Sequence, residues 1–101
     1  MKSRTLTHDL ELTRKVVLEN LKNYRAKAYL FGSQATGKAH LYSDIDVAIL
    51  PLQPLPPSLF FNLRDALEES DVIRTVDVVD LREVDEKFYR KVIEEGIPWT
   101  E

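Results

Sequence analysis

Asp44 and Asp46 flank a single isoleucine, and Val47, Ala48, Ile49 and Leu50 follow at once. In an extended strand, residues i and i+2 project from one face, roughly 6.5–7 Å apart along the chain. Two carboxylates placed this way repel each other unless a positive charge lies between them. Acids at the mouth of a buried strand are also costly unless they are used. A hard divalent cation with oxygen ligands meets that need, and Mg²⁺ is usual where phosphates supply further ligands. The plainer alternative is that Asp44 caps a turn and Asp46 is a solvated strand residue.

A third acid, Asp77, interrupts the β-branched run Thr75-Val76-Asp77-Val78-Val79-Asp80. On an adjacent strand it would complete the ligands for two metal ions about 3.5–4 Å apart, or act as general base on an attacking hydroxyl. Asp80 competes for this role. It precedes Leu81-Arg82 at the strand end, where a turn aspartate needs no other reason, so Asp77 is preferred. Gly32-Ser33 ends a short apolar run. Glycine lets the chain turn sharply and lets a ligand approach the main chain. The N–H groups of such a turn can cradle phosphate oxygens. Alone, a Gly-Ser pair is an ordinary turn. Together the three features supply what phosphoryl-type transfer asks of a protein: a phosphate cradle, metal carboxylates and an open place for an acceptor. No rival constellation competes, because the chain has no cysteine and only His8 and His40, both read as surface residues.

Positioning these groups takes alternating helices and strands. Residues 7–24 read as a helix, with Leu10, Val17, Leu21 and Tyr24 near one face. Residues 28–31 read as a buried strand stopped at Gly32, and residues 33–42 as a loop with at most a short helix. Residues 45–50 are mostly apolar and predict a central strand. Pro51, Pro54, Pro56 and Pro57 enforce an extended connection. Residues 58–70 predict a helix with Phe60, Leu63, Ala66 and Leu67 on one face, and residues 72–79 a third strand. In the last helix Asp85 is a good N-cap, Gly96 stands where a C′ glycine belongs, and Pro98 blocks continuation. The order α-β-loop-β-α-β-α predicts a single α/β domain over residues 1–101 with a small central sheet. Strand order and direction do not follow from it.

The 101 residues suffice for one core. No stretch approaches the roughly 20 apolar residues that span a bilayer, so no membrane role is expected. Residues 1–12 alternate charged and apolar side chains, unlike a secretory signal. The lack of cysteine excludes thiolate metal sites and fits a cytoplasmic protein. The net charge of −3 argues against a nucleic-acid partner held by phosphate contacts. The charge is uneven: residues 1–40 carry eight Lys/Arg against three Asp/Glu, and residues 41–101 carry six against fourteen. A solvated mixed surface explains this, and so does a basic part facing polyphosphate beside an acidic part that holds cations.

The spacing Gly32-Ser33, ten residues, then Asp44-Ile45-Asp46 resembles the signature of the DNA polymerase β-like nucleotidyltransferase superfamily. The stretches Leu30-Phe31-Gly32-Ser33, Tyr42-Ser43-Asp44-Ile45-Asp46-Val47-Ala48-Ile49 and Val76-Asp77-Val78-Val79-Asp80-Leu81-Arg82 look like its minimal nucleotidyltransferase branch. So does Val92-Ile93-Glu94-Glu95-Gly96-Ile97. The resemblance covers residues 28–101. It implies the nucleotidyltransferase fold, a small mixed central β-sheet flanked by helices. It implies that Gly32 and Ser33 bind a triphosphate, that Asp44 and Asp46 are metal ligands, and that Asp77 is the third catalytic carboxylate and metal ligand. Thr36 departs from the pattern, since many relatives carry arginine there. Lys38 is the candidate compensating cation at the phosphates.

The resemblance also implies a partner. Such proteins are commonly encoded beside a helical HEPN-type or nucleotidyltransferase substrate-binding protein, and some are antitoxins that transfer AMP onto it. The expected function is therefore Mg²⁺-dependent transfer of a nucleoside monophosphate, AMP from ATP, to an acceptor hydroxyl on a helical partner, with two Mg²⁺ ions. Leu59-Phe60-Phe61 is a candidate contact for that partner, although Phe61 could equally pack beneath the proline-rich loop. The alternative is a non-catalytic antitoxin that neutralises its partner by complex formation. Thr36 favours that alternative, and the three acids favour the enzyme.

Overall fold

The computed structural model describes residues 6–32, 35 and 44–100. Ser33, Lys38, Thr36 and His40 lie outside the described residues, as does most of the expected 33–42 loop. Helix α1 is Leu6–Leu21, strand β1 Ala26–Phe31, strand β2 Ile45–Pro51 and helix α2 Pro57–Glu69. Strand β3 is Val76–Asp80, helix α3 Glu86–Glu95 and strand β4 Ile97–Pro98. The strands form one sheet in the order β3-β2-β1-β4. β2 pairs antiparallel with β1 and parallel with β3, so the sheet is mixed. A parallel neighbour needs a long crossover, and α2 lies within it.

Alternation along β2 sets the two layers. Ile45, Val47 and Ile49 face one core with Val17 and Leu21 of α1 and Leu59, Phe60, Leu63 and Leu67 of α2. Ala48 faces a smaller core with Tyr29 of β1, Leu81 and Val92 of α3. Thus α1 and α2 cover one face and α3 the other. A one-residue slip of β2 would exchange these sets, so burial fixes the register.

Strand lengths follow from where partners exist. β1 begins at Ala26, earlier than expected, because β2 runs on to Pro51 and supplies Ala26 and Lys27 with partners. β3 begins at Val76 and not at Val72, because β2 starts only at Ile45, the partner of Val76. In the stretch before it, Arg74 is drawn to α1 instead. Its guanidinium donates to Asp9 Oδ2 at 2.8 Å, and Asp9 is wholly buried. The outer edge of β3 is blunted by Arg64, which donates to the Val78 carbonyl at 2.9 Å.

Two helix ends depart from expectation. α2 starts at Pro57, in the N1 position that proline suits, behind Pro56 with no side-chain cap. Gly96 ends α3 in extended backbone, φ −72°, and not in the left-handed form expected of a C′ glycine. Its need is spatial: a Cβ there would crowd the Val92 carbonyl and come 3.2 Å from the Leu30 carbonyl. That close passage seats β4 against β1, where Ile97 pairs with Leu30 and Pro98 with Tyr29. β4 was not foreseen, since two residues ending in proline carry no strand signal. Asp85 caps α3 as expected, accepting from the Phe88 N–H at 2.8 Å. Among the described residues no helix is long and apolar enough to cross a membrane.

Candidate active site

Phe31 is the last residue of β1, and Gly32 follows it with φ +74°. That conformation is strained for any residue with a Cβ. Space imposes the same choice, because a Cβ on Gly32 would stand 2.5 Å from Asp46 Oδ2 and 3.3 Å from its Cγ. The turn therefore backs directly onto the Asp46 carboxylate. It is closed by the Ala35 N–H donating to the Gly32 carbonyl at 3.1 Å.

Asp46 is the second residue of β2. Its register partners are Phe31 on one side and Asp77 on the other. Residues directly opposite in a ladder share a face, so Phe31, Asp46 and Asp77 form a row across three strands. The row lies on the α3 face, away from α1 and α2. Asp46 is half-buried, whereas Asp44 and Asp77 are exposed. Burial pushes the Asp46 carboxyl above the usual carboxylate range, and the charges of Asp77 and then Asp44 push it the same way. Asp77 and Asp44 thus both bear on Asp46, and the register sets Asp77 directly opposite it. The three acids do not close into a cage: among the described residues no three His, Cys, Asp or Glu side chains form a group able to hold a metal alone.

Asp80 has a different task. Its carboxylate accepts from the Arg82 backbone N–H at 2.9 Å, from Arg82 Nε at 3.2 Å and from Arg82 Nη2 at 2.8 Å. Burial works against its ionisation, but these hydrogen bonds together with the positive charges of Arg82 and Arg64 hold it below the usual range. Asp80 is occupied in the turn after β3, and Asp77 is the acid that faces Asp46. Among the other candidates, His8 is exposed on α1, as expected. Leu59 and Phe60 are buried in the core, so they offer a partner nothing. Phe61 is 70% exposed and does not pack beneath the proline-rich loop.

An aromatic pair at the site has no local sequence signal. Phe31 meets Phe88, near the start of α3, with ring centroids 5.5 Å apart and planes at 81°. The only hint was amphipathic spacing, since Phe88 and Val92 share a helix face.

This chain is similar to several known proteins. Over 87 residues it is 33% identical to the probable protein adenylyltransferase MntA of Haemophilus influenzae, covering 86% of this chain and 74% of that protein. A solved structure described as a minimal nucleotidyltransferase superposes with a TM-score of 0.76 at 28% identity, covering 96% of this chain and 99% of that one. An antitoxin chain solved with a tri-AMPylated HEPN toxin of Shewanella oneidensis superposes with a TM-score of 0.62 at 26% identity, covering 89% of this chain and 71% of that one. The polymerase beta nucleotidyltransferase model matches residues 13–99, and with that match over the sheet and all three acids the chain belongs to this nucleotidyltransferase family.

Proposed function

We propose that this nucleotidyltransferase moves AMP from ATP onto a hydroxyl of a helical HEPN-type partner protein, as one half of a toxin–antitoxin pair. The observation that carries the chemistry is the row of Asp46 and Asp77 on adjacent strands with the Gly32 turn packed against Asp46. Support for acceptor and partner comes from similarity to a protein adenylyltransferase and to an antitoxin solved with an AMPylated HEPN toxin.

The residues fit a divalent cation. Asp46 is an anion disfavoured by burial and by two like charges, and its carboxylate is seated by a turn that leaves no room for a Cβ. Asp44, Asp46 and Asp77 would hold two Mg²⁺ ions, which would supply charge neutralisation at the phosphates. The Gly32-Ser33 turn and Lys38 bind the phosphate tail. Asp77, exposed at the edge strand, receives the acceptor and takes its proton. The hydroxyl oxygen bonds to the α-phosphorus as the bond from that phosphorus to the bridging oxygen breaks. Pyrophosphate leaves, and AMP stays on the acceptor.

The test is transfer from α-labelled ATP, with Mg²⁺, to a co-purified helical partner. Label on the partner that disappears with Asp46→Asn is the expected result. Tight partner binding without label, unchanged by Asp46→Asn, would overturn the reading in favour of a non-catalytic antitoxin.

A further inference from the structure

We infer that Phe88, braced by Phe31, is the stacking surface for the nucleobase of the bound nucleotide, a specificity element of the site proposed above and resting on that reading. The row across the sheet runs Asp77, Asp46, Phe31. Helix α3 lies on this same face, because its Val92 packs with Tyr29 and Ala48. The Phe88 ring meets Phe31 nearly edge-on at 5.5 Å and is still 36% exposed after that contact. Phe31 itself is half-buried. A half-exposed aromatic pair beside a carboxylate row is apolar surface that a flat ring can cover, and every nucleobase offers a π-face.

The row also decides which ring. Two strand spacings separate Phe31 from Asp77, roughly 9–10 Å. An acceptor hydroxyl at Asp77 therefore keeps its own side chain on the far side of Asp46 from the aromatic pair. Phosphates held at Gly32 and Asp46 would stand beside Phe31, and the nucleoside joined to them would then come within reach of Phe88. A further point separates this role from packing. Phe88 sits at the first turn of α3, where the Asp85 carboxylate accepts its backbone N–H. The helix start is thus fixed by its cap whatever side chain stands at 88.

The test compares ATP–Mg²⁺ with inorganic tripolyphosphate–Mg²⁺ as calorimetric ligands for the wild type, Phe88→Leu and Phe88→Trp. Leucine keeps an apolar side chain against Phe31 and removes the π-face. Phe88→Leu is expected to weaken ATP about tenfold and to leave tripolyphosphate unchanged, and Phe88→Trp to restore ATP. In the transfer assay the KM for ATP rises while that for the acceptor protein stays constant. Equal loss of both ligands, unchanged ATP affinity, or a rise confined to the acceptor's KM would each overturn the inference. A wild type that binds tripolyphosphate and ATP equally would overturn it and spare the phosphate site. A wild type that binds neither ligand would end the nucleotide reading and this inference with it.

Discussion

Asp46 and Asp77 stand directly opposite each other on adjacent parallel strands, and their carboxylates share the face on which Gly32 meets Asp46. Cross-strand like charges are destabilising, and here the conflict falls on Asp46, the more buried partner. The folded-state pKa of Asp46 is raised, so the native state binds more protons than the unfolded one across the window from the ordinary carboxylate value up to the raised one. As pH rises through that window, stability falls. At neutral pH without metal, Asp46→Asn is expected to melt higher than the wild type. The gap narrows when Mg²⁺ is added or the pH is lowered into the carboxylate range. Transfer drops by at least about 100-fold, the loss of several kcal/mol of charge stabilisation. Thermal melts in EDTA and in Mg²⁺ read this directly, and a metal-free variant that melts lower would refute the claim that Asp46 is held under repulsion.

Gly32→Ala tests the turn. The left-handed backbone costs about 1–2 kcal/mol for an alanine, and the new Cβ forces Asp46 aside. Both stability and transfer should fall. Because the clash is with the Asp46 side chain, Gly32→Ala should cost less stability in an Asp46→Ala background, where only the backbone strain remains. Strict additivity in a double-mutant cycle would mean that the two residues do not touch.

Asp77 and Asp80 should separate cleanly. Asp77→Asn is expected to lower transfer about 10²–10⁴-fold without loss of stability, since the side chain is exposed and its removal relieves repulsion on Asp46, so the metal-free melt rises slightly. Asp80→Asn should do the reverse. It weakens the hydrogen bonds from Arg82 and costs about 1–2 kcal/mol, a figure tempered by the 44% exposure of Arg82. Transfer per folded molecule is unchanged. The Asp80 pKa is lowered, so its stabilisation is present above the ordinary carboxylate range and is lost as pH falls below that range through the folded value. Acid melts of the wild type should therefore show a stability loss at low pH that Asp80→Asn lacks.

The candidate site's geometry was legible wherever its parts are near in sequence. Asp44 and Asp46 are two residues apart, Gly32 ends an apolar run, and Asp85 carries its helix start on itself, whereas Pro57, read as part of the extended connection, begins α2. Even the choice of Asp77 over Asp80 had a local clue in Arg82, two residues beyond. What was not readable depends on distant partners. Residues 72–75 have β-branched neighbours, yet they form no strand because β2 starts too late to pair with them. β4 exists only because Gly96 passes close to the Leu30 carbonyl. Phe31 and Phe88 lie 57 positions apart, and nothing in either neighbourhood announces their contact. Strand order belongs to the same class. The mixed sheet that aligns Phe31, Asp46 and Asp77 follows from packing two layers, not from any one segment.

One more long-range contact lies where the chain approaches β3. Asp9 of α1 is wholly buried and bridges to Arg74, whose side chain is 10% exposed, at 2.8 Å. The Arg74 N–H reaches the same carboxylate oxygen at 3.4 Å. Arg74 precedes Asp77 by three residues, so this bridge anchors the chain as it enters β3. Breaking a buried pair leaves the remaining charge poorly compensated, and Asp9→Ala is expected to cost about 3–5 kcal/mol. Replacing both members with apolar residues, Asp9→Leu with Arg74→Met, removes both desolvation costs and should recover most of that stability. Urea titrations with an unchanged slope would report these differences as stability alone. If the doubly apolar chain folds well but transfers poorly, the bridge serves to aim β3, and Asp77 with it. If it transfers normally, core packing of Val76 and Val78 suffices to place Asp77. An Asp9→Ala variant as stable as the wild type would show that the bridge holds nothing in place.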